Sequence, residues 1–512
     1  MTTIITCTIG ESKGVARLWL EGKSLLHAGV SIGTRYLVRA QEALGRLELV
    51  PVKEESAPHT CTVSKRERHG VTSPLLEVRT DLLSKMFEGL KRVRVAIREG
   101  RIVVTPLQID IKVRERVLRL KQKLANRAKL ATASLFHGGG VMDKAIHAGL
   151  MAMGVASFIQ VGVEMEQTYL DASLRNNPEL WTSESIAICS DIRDVGLRDN
   201  PPMVELLVGG VPCTGASTAG RAKNKLARAE DHSTAGSLFY DYLKMVEILN
   251  PAVVVLENVK QYANTASMTV IRSVMTSLGY TLFEVVLNGT DFGALEARSR
   301  LIMVAITRGL ENGFDFNNLV PTSTKPLNLA EVLEDIPHDS ERWKAYSYLA
   351  AKEERDIAAG KGFKRQIVTP ESESVGTIGR GVAKARSTEP FLAHPTDPNL
   401  SRLFTPVEHA RIKTVPTSLI EGLSDTTAHE VLGQGVIFKK LEAVGQLLGH
   451  TLNAENLNPD YLAVAGAGIT SYCDQICGGG ECGTGPCCQN GVDADTRMPP
   501  LYKPVLRPVQ VA

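Results

Sequence analysis

Short apolar runs alternate with helix-like stretches through the middle of the chain. The runs fall at 158–163, 186–189, 204–208, 252–256, 281–287 and 301–306. Between them, apolar residues recur every three or four positions, as at Leu238, Tyr242, Met245 and Leu249, which is typical of an amphipathic helix. Strands that alternate with such helices predict a mostly parallel sheet covered on both faces. The expected fold class is therefore α/β, of the Rossmann-like type.

An internal repeat occupies the first hundred residues. Residues 16–51 and 74–106 each have the pattern of a strand, a short helix with two leucines, and a hairpin closed by a Gly-Arg pair. One copy could not bury its own apolar face. We therefore expect the two copies to complete a small β-rich barrel together.

The regular alternation ends after Thr307. Residues 310–400 are polar and punctuated by glycine and proline, which predicts a small irregular domain, and helix-like patterns return at 403–416 and 431–448. The predicted domains are a β-rich module (1–110), a basic helical linker (111–130), an α/β body (131–309), the irregular domain (310–400), the rest of the body (401–450) and a Gly- and Cys-rich tail (451–512).

Composition and charge narrow the functional classes. The chain is 43% hydrophobic, and it has neither an apolar stretch of membrane-spanning length nor a secretory signal at its start, so a cytoplasmic protein without membrane contact is expected. The net charge of +2 hides an asymmetry, because residues 1–130 carry 25 Lys and Arg against 13 Asp and Glu. A basic first module favours a polyanionic partner, although a solvated helix face explains the cations of 112–129 equally well.

A glycine-rich turn follows the first predicted strand of the body, in the run Ser-Leu-Phe-His-Gly-Gly-Gly-Val that begins at Ser134. Such a turn lets a ligand approach the backbone and a helix amino terminus. Glu164, at the end of the next strand, is placed to bind a ribose diol, and Asp191 follows a third strand, where it could hold an adenine amino group. By itself the turn fits a nicotinamide dinucleotide, S-adenosylmethionine or no ligand equally well.

Three reactive side chains follow further strands. Cys213 comes after an apolar strand and a proline-containing turn, Glu257 follows the run 252–256, and Arg300 lies in the Arg-Ser-Arg sequence that starts at Arg298. A thiolate can add to an electron-poor ring carbon, and a carboxyl group hydrogen-bonded to the ring nitrogen makes that addition feasible. A guanidinium can hold the exocyclic oxygen of the ring. Taken singly, a buried cysteine is more often a core residue.

In their order along the chain, these blocks resemble the DNA cytosine-5 methyltransferases from about residue 133 to 449. The resemblance includes the Phe-x-Gly turn, Gly-Gly-Val-Pro-Cys at 209–213, Glu-Asn-Val at 257–259 and Arg-Ser-Arg at 298–300. It also includes the run from Leu287 to Gly293, the run 402–411 and Gly-Gln-Gly-Val at 433–436. It implies an S-adenosylmethionine-dependent methyltransferase fold whose irregular domain recognises the target. The N-terminal repeat more weakly resembles the swapped-hairpin domains of AbrB-like proteins and SymE-type toxins.

The resemblance also implies roles for individual residues. Cys213 would attack carbon 6 of a flipped-out cytosine, Glu257 would engage ring nitrogen 3, and Arg300, with Arg298 beside it, would contact the ring oxygen. The cofactor S-adenosylmethionine would be held by Phe136, Gly138, Gly140, Glu164, Asp191, Ile192, Gln434 and Val436.

Four positions depart from the family pattern. Ser134 stands where the family usually has aspartate, Val141 where it has a second glycine, Glu296 where it has glutamine, and Gln434 where it has asparagine. None of these replaces Cys213, so the expected activity stands.

Double-stranded DNA is the expected partner. Basic residues suited to the phosphate backbone follow Cys213 and recur in the irregular domain, at Arg221, Lys223, Lys225, Arg228, Lys364, Arg365 and Arg380. A paired restriction endonuclease and a monomeric state are further expectations. Two alternatives stay open, a transfer-RNA methyltransferase and a DNA-binding regulator with a weakly active methyltransferase body. The tail cysteines at 473, 477, 482, 487 and 488 lack the paired spacing of zinc sites, so no metal is predicted.

Overall fold

The computed structural model describes residues 1–53, 58–197, 201–212, 229–232, 236–360 and 363–453. These residues form two compact units that divide between Glu115 and Arg116. The first unit contains the repeat, and the second contains the α/β body together with the irregular segment. No helix in these ranges combines the length and the apolar character needed to cross a membrane.

The first unit is a β-barrel. Its strands follow the order β5-β3-β4-β9-β8-β1-β2-β7-β6. The two ends of this order, β5 and β6, are one stretch of chain interrupted at Val63, so the sheet closes on itself. The elements are β1 (Thr3–Ser12), β2 (Val15–Glu21), α1 (Lys23–His27), β3 (Arg35–Gln41), β4 (Arg46–Pro51), β5 (Thr60–Thr62), β6 (Ser64–Arg68), β7 (Val71–Arg79), α2 (Asp81–Met86), β8 (Arg92–Arg98) and β9 (Arg101–Pro106).

The two halves of the barrel pair with each other symmetrically. Strand β2 pairs with its counterpart β7, and β4 pairs with its counterpart β9, both antiparallel. The inward residues of these strands form a closed apolar core, to which α1 contributes Leu25 and α2 contributes Leu83. Neither half could bury this surface alone, which is the physical reason for two copies in one chain. The sequence pattern missed β1 and the β5–β6 stretch, one of which precedes each repeat.

The second unit is built on a seven-stranded sheet of order β12-β11-β10-β13-β14-β16-β15, in which only β16 runs antiparallel to its neighbours. The strands are β10 (Leu130–Leu135), β11 (Ser157–Glu164), β12 (Ile186–Cys189), β13 (Leu206–Gly209), β14 (Val253–Val259), β15 (Tyr280–Asn288) and β16 (Ser299–Thr307). The chain order reverses between β10 and β13. In open α/β sheets, ligands bind outside the carboxyl ends of the strands at such a point.

The second unit has helices around this sheet and in the irregular segment. They are α3 (Gln108–Ala125), α4 (Val141–Ala152), α5 (Gln167–Asn176), α6 (Leu238–Leu249), α7 (Ala266–Ser277), α8 (Ser347–Ala358), α9 (Pro406–Ile412), α10 (Asp425–Gln434) and α11 (Phe438–Leu452). On one face, Leu256 and Met303 of the sheet share a core cluster with Tyr242 of α6 and Met268 of α7. Helices α4 and α11 pack tightly together, because Gly149 and Gly445 allow their backbones to meet.

Helix α3 corrects two sequence expectations. It ends at Ala125, and Leu130 already begins β10, so the predicted helix was too long. Its cations are not simply a solvated face, because Arg119 Nε lies 2.9 Å from the buried Glu205 carboxylate and also donates through Nη2 to two backbone carbonyls. Arg116 is buried, stacks 4.1 Å from the centre of the Tyr280 ring and donates to the Leu278 carbonyl. The charges of Arg116 and Arg119 are therefore used in contacts within the protein and are not available to bind a polyanion.

The irregular segment contains α8 and, with the residues just after it, a small sheet of β17 (Gln366–Val368), β18 (Pro390–Ala393) and β19 (Ser401–Arg402). It has a core of its own, to which Leu329, Ile378 and Phe404 contribute. Leu295 and Ile412 belong to the same cluster, so the segment is anchored on the loop before β16 and on α9.

Candidate active site and cofactor site

The turn after β10 has a backbone that favours glycine. Phe136, Gly138 and Gly140 all have positive φ, at 57°, 58° and 76°. Around the position that a Gly138 Cβ would take, no described atom lies within 4 Å. The turn therefore leaves open space beside its backbone, next to the amino terminus of α4, as a bound ligand requires.

Glu164, at the end of β11, fixes this turn. Its Oε2 accepts a hydrogen bond of 2.6 Å from the Gly138 amide, and its Oε1 accepts from the amides of Met165 and Glu166. A carboxylate has about four acceptor sites. Glu164 can therefore hold the turn and still accept from a ribose diol.

The neighbouring glycines have no such space. A Cβ at Gly139 would lie 2.5 Å from Val431 Cγ1, and one at Gly140 would lie 2.6 Å from Ser173 Oγ. Contacts under 3 Å are not tolerated, so α5 and α10 support the turn from behind. Only the Gly138 side remains open.

Sequence reasoning missed a buried polar network beneath the turn. His137 Nδ1 lies 2.8 Å from Ser134 Oγ, and His137 Nε2 lies 2.7 Å from Ser173 Oγ. Ser134 also donates to Asp143 Oδ2 at 2.9 Å. All four side chains are buried, so the network fixes the turn in one conformation. His137 lies inside the glycine-rich run, and this was the one available signal.

Asp191 lies after β12, where it was expected, but it already has a strong partner. It caps the short helix Ile192–Asp194 and receives two hydrogen bonds from the Arg193 guanidinium, at 2.9 and 2.5 Å. The hydrogen bonds from Arg193 lower the pKa of Asp191 below its ordinary value. An adenine amino group would share this carboxylate with Arg193. Ile192 beside it is buried.

Glu257 and Arg300 meet on one face of the sheet. Glu257 pairs with Ile302 across the β14–β16 ladder and Arg300 pairs with Val259, so both side chains point to the same side. Arg300 Nε lies 3.4 Å from Glu257 Oε1, and both groups are largely buried. The strand continues through Val259, so Glu257 lies within β14, and its predicted position after the strand end was wrong. The pairing of β14 with β16 holds the backbone of Glu257, and so its carboxylate, in place.

Cys213 lies outside the described residues, as do Arg221, Lys223, Lys225 and Arg228. The chain that leads to it is described through Pro212. Asn258 Nδ2 donates to the Val211 carbonyl at 2.9 Å, and a Cβ at Gly210 would lie 2.9 Å from the Glu257 carbonyl oxygen. The segment entering the cysteine therefore passes directly beside Glu257.

Arg298 differs from Arg300 in its surroundings. It is buried, its Nη1 lies 3.6 Å from Glu296 Oε1, and it donates to the Gly433 carbonyl at 3.5 Å. Arg300 contacts Glu257, whereas Arg298 contacts the last turn of α10. The two arginines predicted together thus occupy separate places.

Two buried lysines were missed by the sequence reasoning. Lys413 Nζ donates to the carbonyls of Leu432 and Gly435, whereas Lys440 Nζ has no hydrogen-bond acceptor among the described residues. Burial lowers the pKa of each lysine to about 7, and the charge of Glu257 acts on both in the opposite direction. No sequence motif marks either lysine.

The remaining predicted residues lie on two surfaces. Gln434 is exposed at the end of α10, and Val436 is buried just after it. Lys364 and Arg380 are exposed in the irregular segment, while Arg365 is half-buried and donates its amide to Glu353. Lys364 and Arg380 are therefore open to a large ligand.

The strand order with its single reversed strand β16, the glycine turn and the acidic residue after β11 define an S-adenosylmethionine-dependent methyltransferase. Comparison with known proteins identifies the family. Residues 131–450 match the family described as C-5 cytosine-specific DNA methylase, which is well over half of the chain. The chain belongs to this family. It is a DNA (cytosine-5) methyltransferase that uses S-adenosylmethionine.

Curated relatives agree with this assignment. The chain is 27% identical over 271 residues to the Type II methyltransferase M.SsoII of Shigella sonnei, which covers 52% of this chain and 68% of the relative. It is 28% identical over 275 residues to M.NlaX of Neisseria lactamica, covering 52% and 82%, and 28% identical over 350 residues to M.Eco47II of Escherichia coli, covering 62% and 80%. The N-terminal barrel lies outside the matched family region.

Proposed function

We propose that the protein methylates carbon 5 of cytosine in double-stranded DNA, on a flipped-out base and through a covalent bond to Cys213. The observation that carries this proposal is the buried Glu257–Arg300 pair, 3.4 Å apart, beside the strand that leads to the cysteine. A carboxyl group and a guanidinium on one rigid sheet face suit the polar edge of a single pyrimidine ring.

In this proposal, Cys213 Sγ bonds to carbon 6 of the base, and the electron pair of the carbon 5–carbon 6 bond moves toward carbon 5. Glu257 holds a proton at ring nitrogen 3, which makes the addition feasible, and Arg300 holds the ring oxygen. Carbon 5 then takes the methyl group as the bond between that methyl and the sulfonium sulfur breaks and leaves a thioether. Carbon 5 next gives its proton to solvent, and the returning electron pair expels the thiolate. A stacked base cannot reach a site at the sheet edge, so the base has to leave the helix.

The residues around the first turn fit S-adenosylmethionine. Gly138 offers open backbone, Gly140 begins α4, and Glu164 retains acceptor sites for a ribose. Phe136, Asp191, Ile192, Gln434 and Val436 complete the proposed contact set. The cofactor supplies an electrophilic methyl group when bound. We assign Arg298 a positioning role, because its partners are Glu296 and the Gly433 carbonyl.

The exposed cations Lys364 and Arg380 support a role of the irregular segment in DNA recognition. The cations that follow Cys213, which lie outside the described residues, remain predicted phosphate contacts. A paired restriction endonuclease remains a proposal too, favoured by the Type II names of the relatives. A monomeric, cytoplasmic enzyme is likewise the arrangement we propose.

A covalent trap tests the reaction path. Duplex DNA with 5-fluorocytosine cannot release a proton from carbon 5, so the enzyme should remain bonded to it in denaturing gels when the cofactor is present. Cys213→Ala should lose both this adduct and tritium transfer to ordinary duplex DNA. Cys189→Ala, which removes an exposed free cysteine, should keep both. Full tritium transfer by Cys213→Ala, or preferential labelling of transfer RNA, would contradict the proposal.

Glu257→Gln gives a second test. The amide keeps the shape of the side chain but cannot hold the proton at nitrogen 3, so turnover should fall by about 10²- to 10⁴-fold. Glu284→Gln is the matched control, because Glu284 is also a largely buried carboxylate on the same sheet and is paired with an arginine, Arg272 of α7. A control variant that loses as much activity as Glu257→Gln would mean that the loss reflects folding.

A further inference from the structure

Three buried charges form a connected cluster beside β16. Glu296 is fully buried, its Oε1 lies 3.6 Å from Arg298 Nη1, and its Oε2 lies 3.6 Å from Lys413 Nζ. Lys413 is also fully buried. We call Glu296, Arg298 and Lys413 the buried charge cluster. Keeping three charges out of water is costly unless they also make specific hydrogen bonds, so the question is what those bonds hold.

The cations of the cluster hold the last turn of α10, from Val431 to the capping residue Gly435. Lys413 Nζ donates to the carbonyls of Leu432 and Gly435, the latter at 3.1 Å, and Arg298 Nη1 donates to Gly433 at 3.5 Å. Three carbonyls at the end of one helix therefore depend on two buried side chains. Cations at a helix carboxyl terminus are also favoured by the helix dipole.

This turn lies against the cofactor side of the protein. Val431 fills the space behind Gly139, where a Cβ would come within 2.5 Å of it. A Cβ at Gly435 would lie 3.3 Å from Val141 Cγ2, at the start of α4. A shift of the turn would therefore move the glycine loop that we assign to the cofactor.

The same cluster and turn also contact the irregular segment (310–400), which we propose to recognise DNA and here call the recognition segment. Glu296 Oε1 accepts a hydrogen bond of 3.2 Å from the Ile378 amide, and the Ala297 amide donates to the Val375 carbonyl at 2.8 Å. A Cβ at Gly433 would lie 2.2 Å from the Arg380 amide nitrogen, so the two backbones touch. If this segment moves when it binds DNA, the contact between Gly433 and Arg380 would shift the turn as well.

We propose that Glu296 and Lys413 are positioning residues that couple DNA docking on the recognition segment to cofactor binding. The inference rests on the proposed function, which assigns cofactor binding to the glycine loop and DNA binding to the recognition segment. It adds a link between these two surfaces. Because such coupling is reciprocal, DNA tightens the cofactor site by the same factor by which the cofactor tightens DNA.

The coupling factor is the quantity to measure. Calorimetry on the full-length protein gives the dissociation constant of S-adenosylhomocysteine alone and with a saturating duplex that contains the target site, identified by bisulfite sequencing of DNA from cells expressing the protein. Their ratio is the coupling factor, which we expect to be about tenfold in the wild type. A wild-type ratio of one would overturn the proposal.

Lys413→Met removes the donor to the turn and leaves the Glu296 carboxylate with one cation fewer, so the ratio should fall toward one. The double variant Glu296→Gln/Lys413→Gln replaces the charges by amides that can still donate to the carbonyls and accept from Ile378, and it should restore at least half of the logarithm of the wild-type ratio. A purely structural role would weaken both dissociation constants equally and leave their ratio intact.

Arg116→Met is the matched control, because Arg116 is an equally buried cation that donates to the Leu278 carbonyl, a residue that belongs to neither surface. Its ratio should equal that of the wild type. If Lys413→Met behaves like Arg116→Met, the proposal is wrong; should Lys413→Met not fold, Glu296→Gln alone must lower the ratio. Failure of the proposed function would show separately, as tritium transfer by Cys213→Ala.

Discussion

Lys440 can be used to test how strongly burial disfavours a positive charge near Glu257 and Arg300. It lies in α11, is fully buried, and its Nζ has no acceptor among the described residues. Burial lowers its pKa from 10.5 to about 7. At about 1.4 kcal/mol for each pKa unit, the folded protein bears a penalty of roughly 5 kcal/mol for this group when the lysine is charged. Methionine has a similar length and no charge, so Lys440→Met should raise the free energy of unfolding by about 2–4 kcal/mol at pH 6.5.

The pH dependence follows from the direction of the shift. Between pH 7 and 10.5 the unfolded chain keeps the lysine proton while the folded chain has lost it, so unfolding takes up a proton and the wild type becomes more stable as the pH rises. The advantage of Lys440→Met should therefore be largest below pH 7. It should shrink by roughly 2–3 kcal/mol by pH 9.

Urea unfolding followed by tryptophan fluorescence measures this difference. Trp19 lies in the barrel, whereas Trp181 and Trp343 lie in the second unit, so a Trp19→Phe background reports the second unit alone. The control is Lys439→Met, because the neighbouring Lys439 is partly exposed and paired with Glu442. Its effect should be small and independent of pH. Destabilisation by Lys440→Met at pH 6.5, or a difference that does not change with pH, would refute the reasoning.

Two further predictions concern other parts of the protein. Gly139→Ala should weaken S-adenosylhomocysteine binding by more than about tenfold, because the new Cβ would lie 2.5 Å from Val431. Adding Val431→Ala to this variant should restore most of the affinity, as measured by calorimetry. If it does not, the clash with Val431 is not the cause of the weaker binding. Arg92, Arg94 and Arg98 are exposed along β8. If the barrel contacts phosphates, replacing all three by glutamine in the full-length protein should lower the slope of log binding constant against log salt concentration by about 2–3. An unchanged slope, measured by fluorescence anisotropy, would mean that these residues do not contact phosphates.

Most strands of the body could be predicted because both of their faces are buried, and the edge strands β12 and β15, which are more exposed, still have apolar runs. Every run of apolar residues became a strand of the sheet, with bounds that shifted by up to three residues. The largest shift matters for function, since β14 continues through Glu257 to Val259. A charged residue inside a strand has no apolar signature, so the pattern ended the strand too early.

The barrel shows the opposite case. Strand β1 has no fully buried residue, because partly buried positions alternate with exposed ones along most of its length, and β5 and β6 are short and polar. Neither has an apolar run that stands out from a loop. Their pairing depends on partners distant in sequence, such as β8 for β1, which no local pattern reveals.

The departures from the family pattern are most informative where the structure shows what surrounds them. Ser134 stands where an aspartate is usual, yet a carboxylate is still present, because Asp143 from α4 accepts from Ser134 Oγ and lies 3.1 Å from His137 Nδ1. Glu296 stands where a glutamine is usual, and the added negative charge is met by the buried ammonium of Lys413. A buried charge without such a partner would cost several kcal/mol. Each of these two departures is therefore explained by a contact, Ser134 with Asp143 and Glu296 with Lys413. The sequence alone gave no reason to select either partner residue.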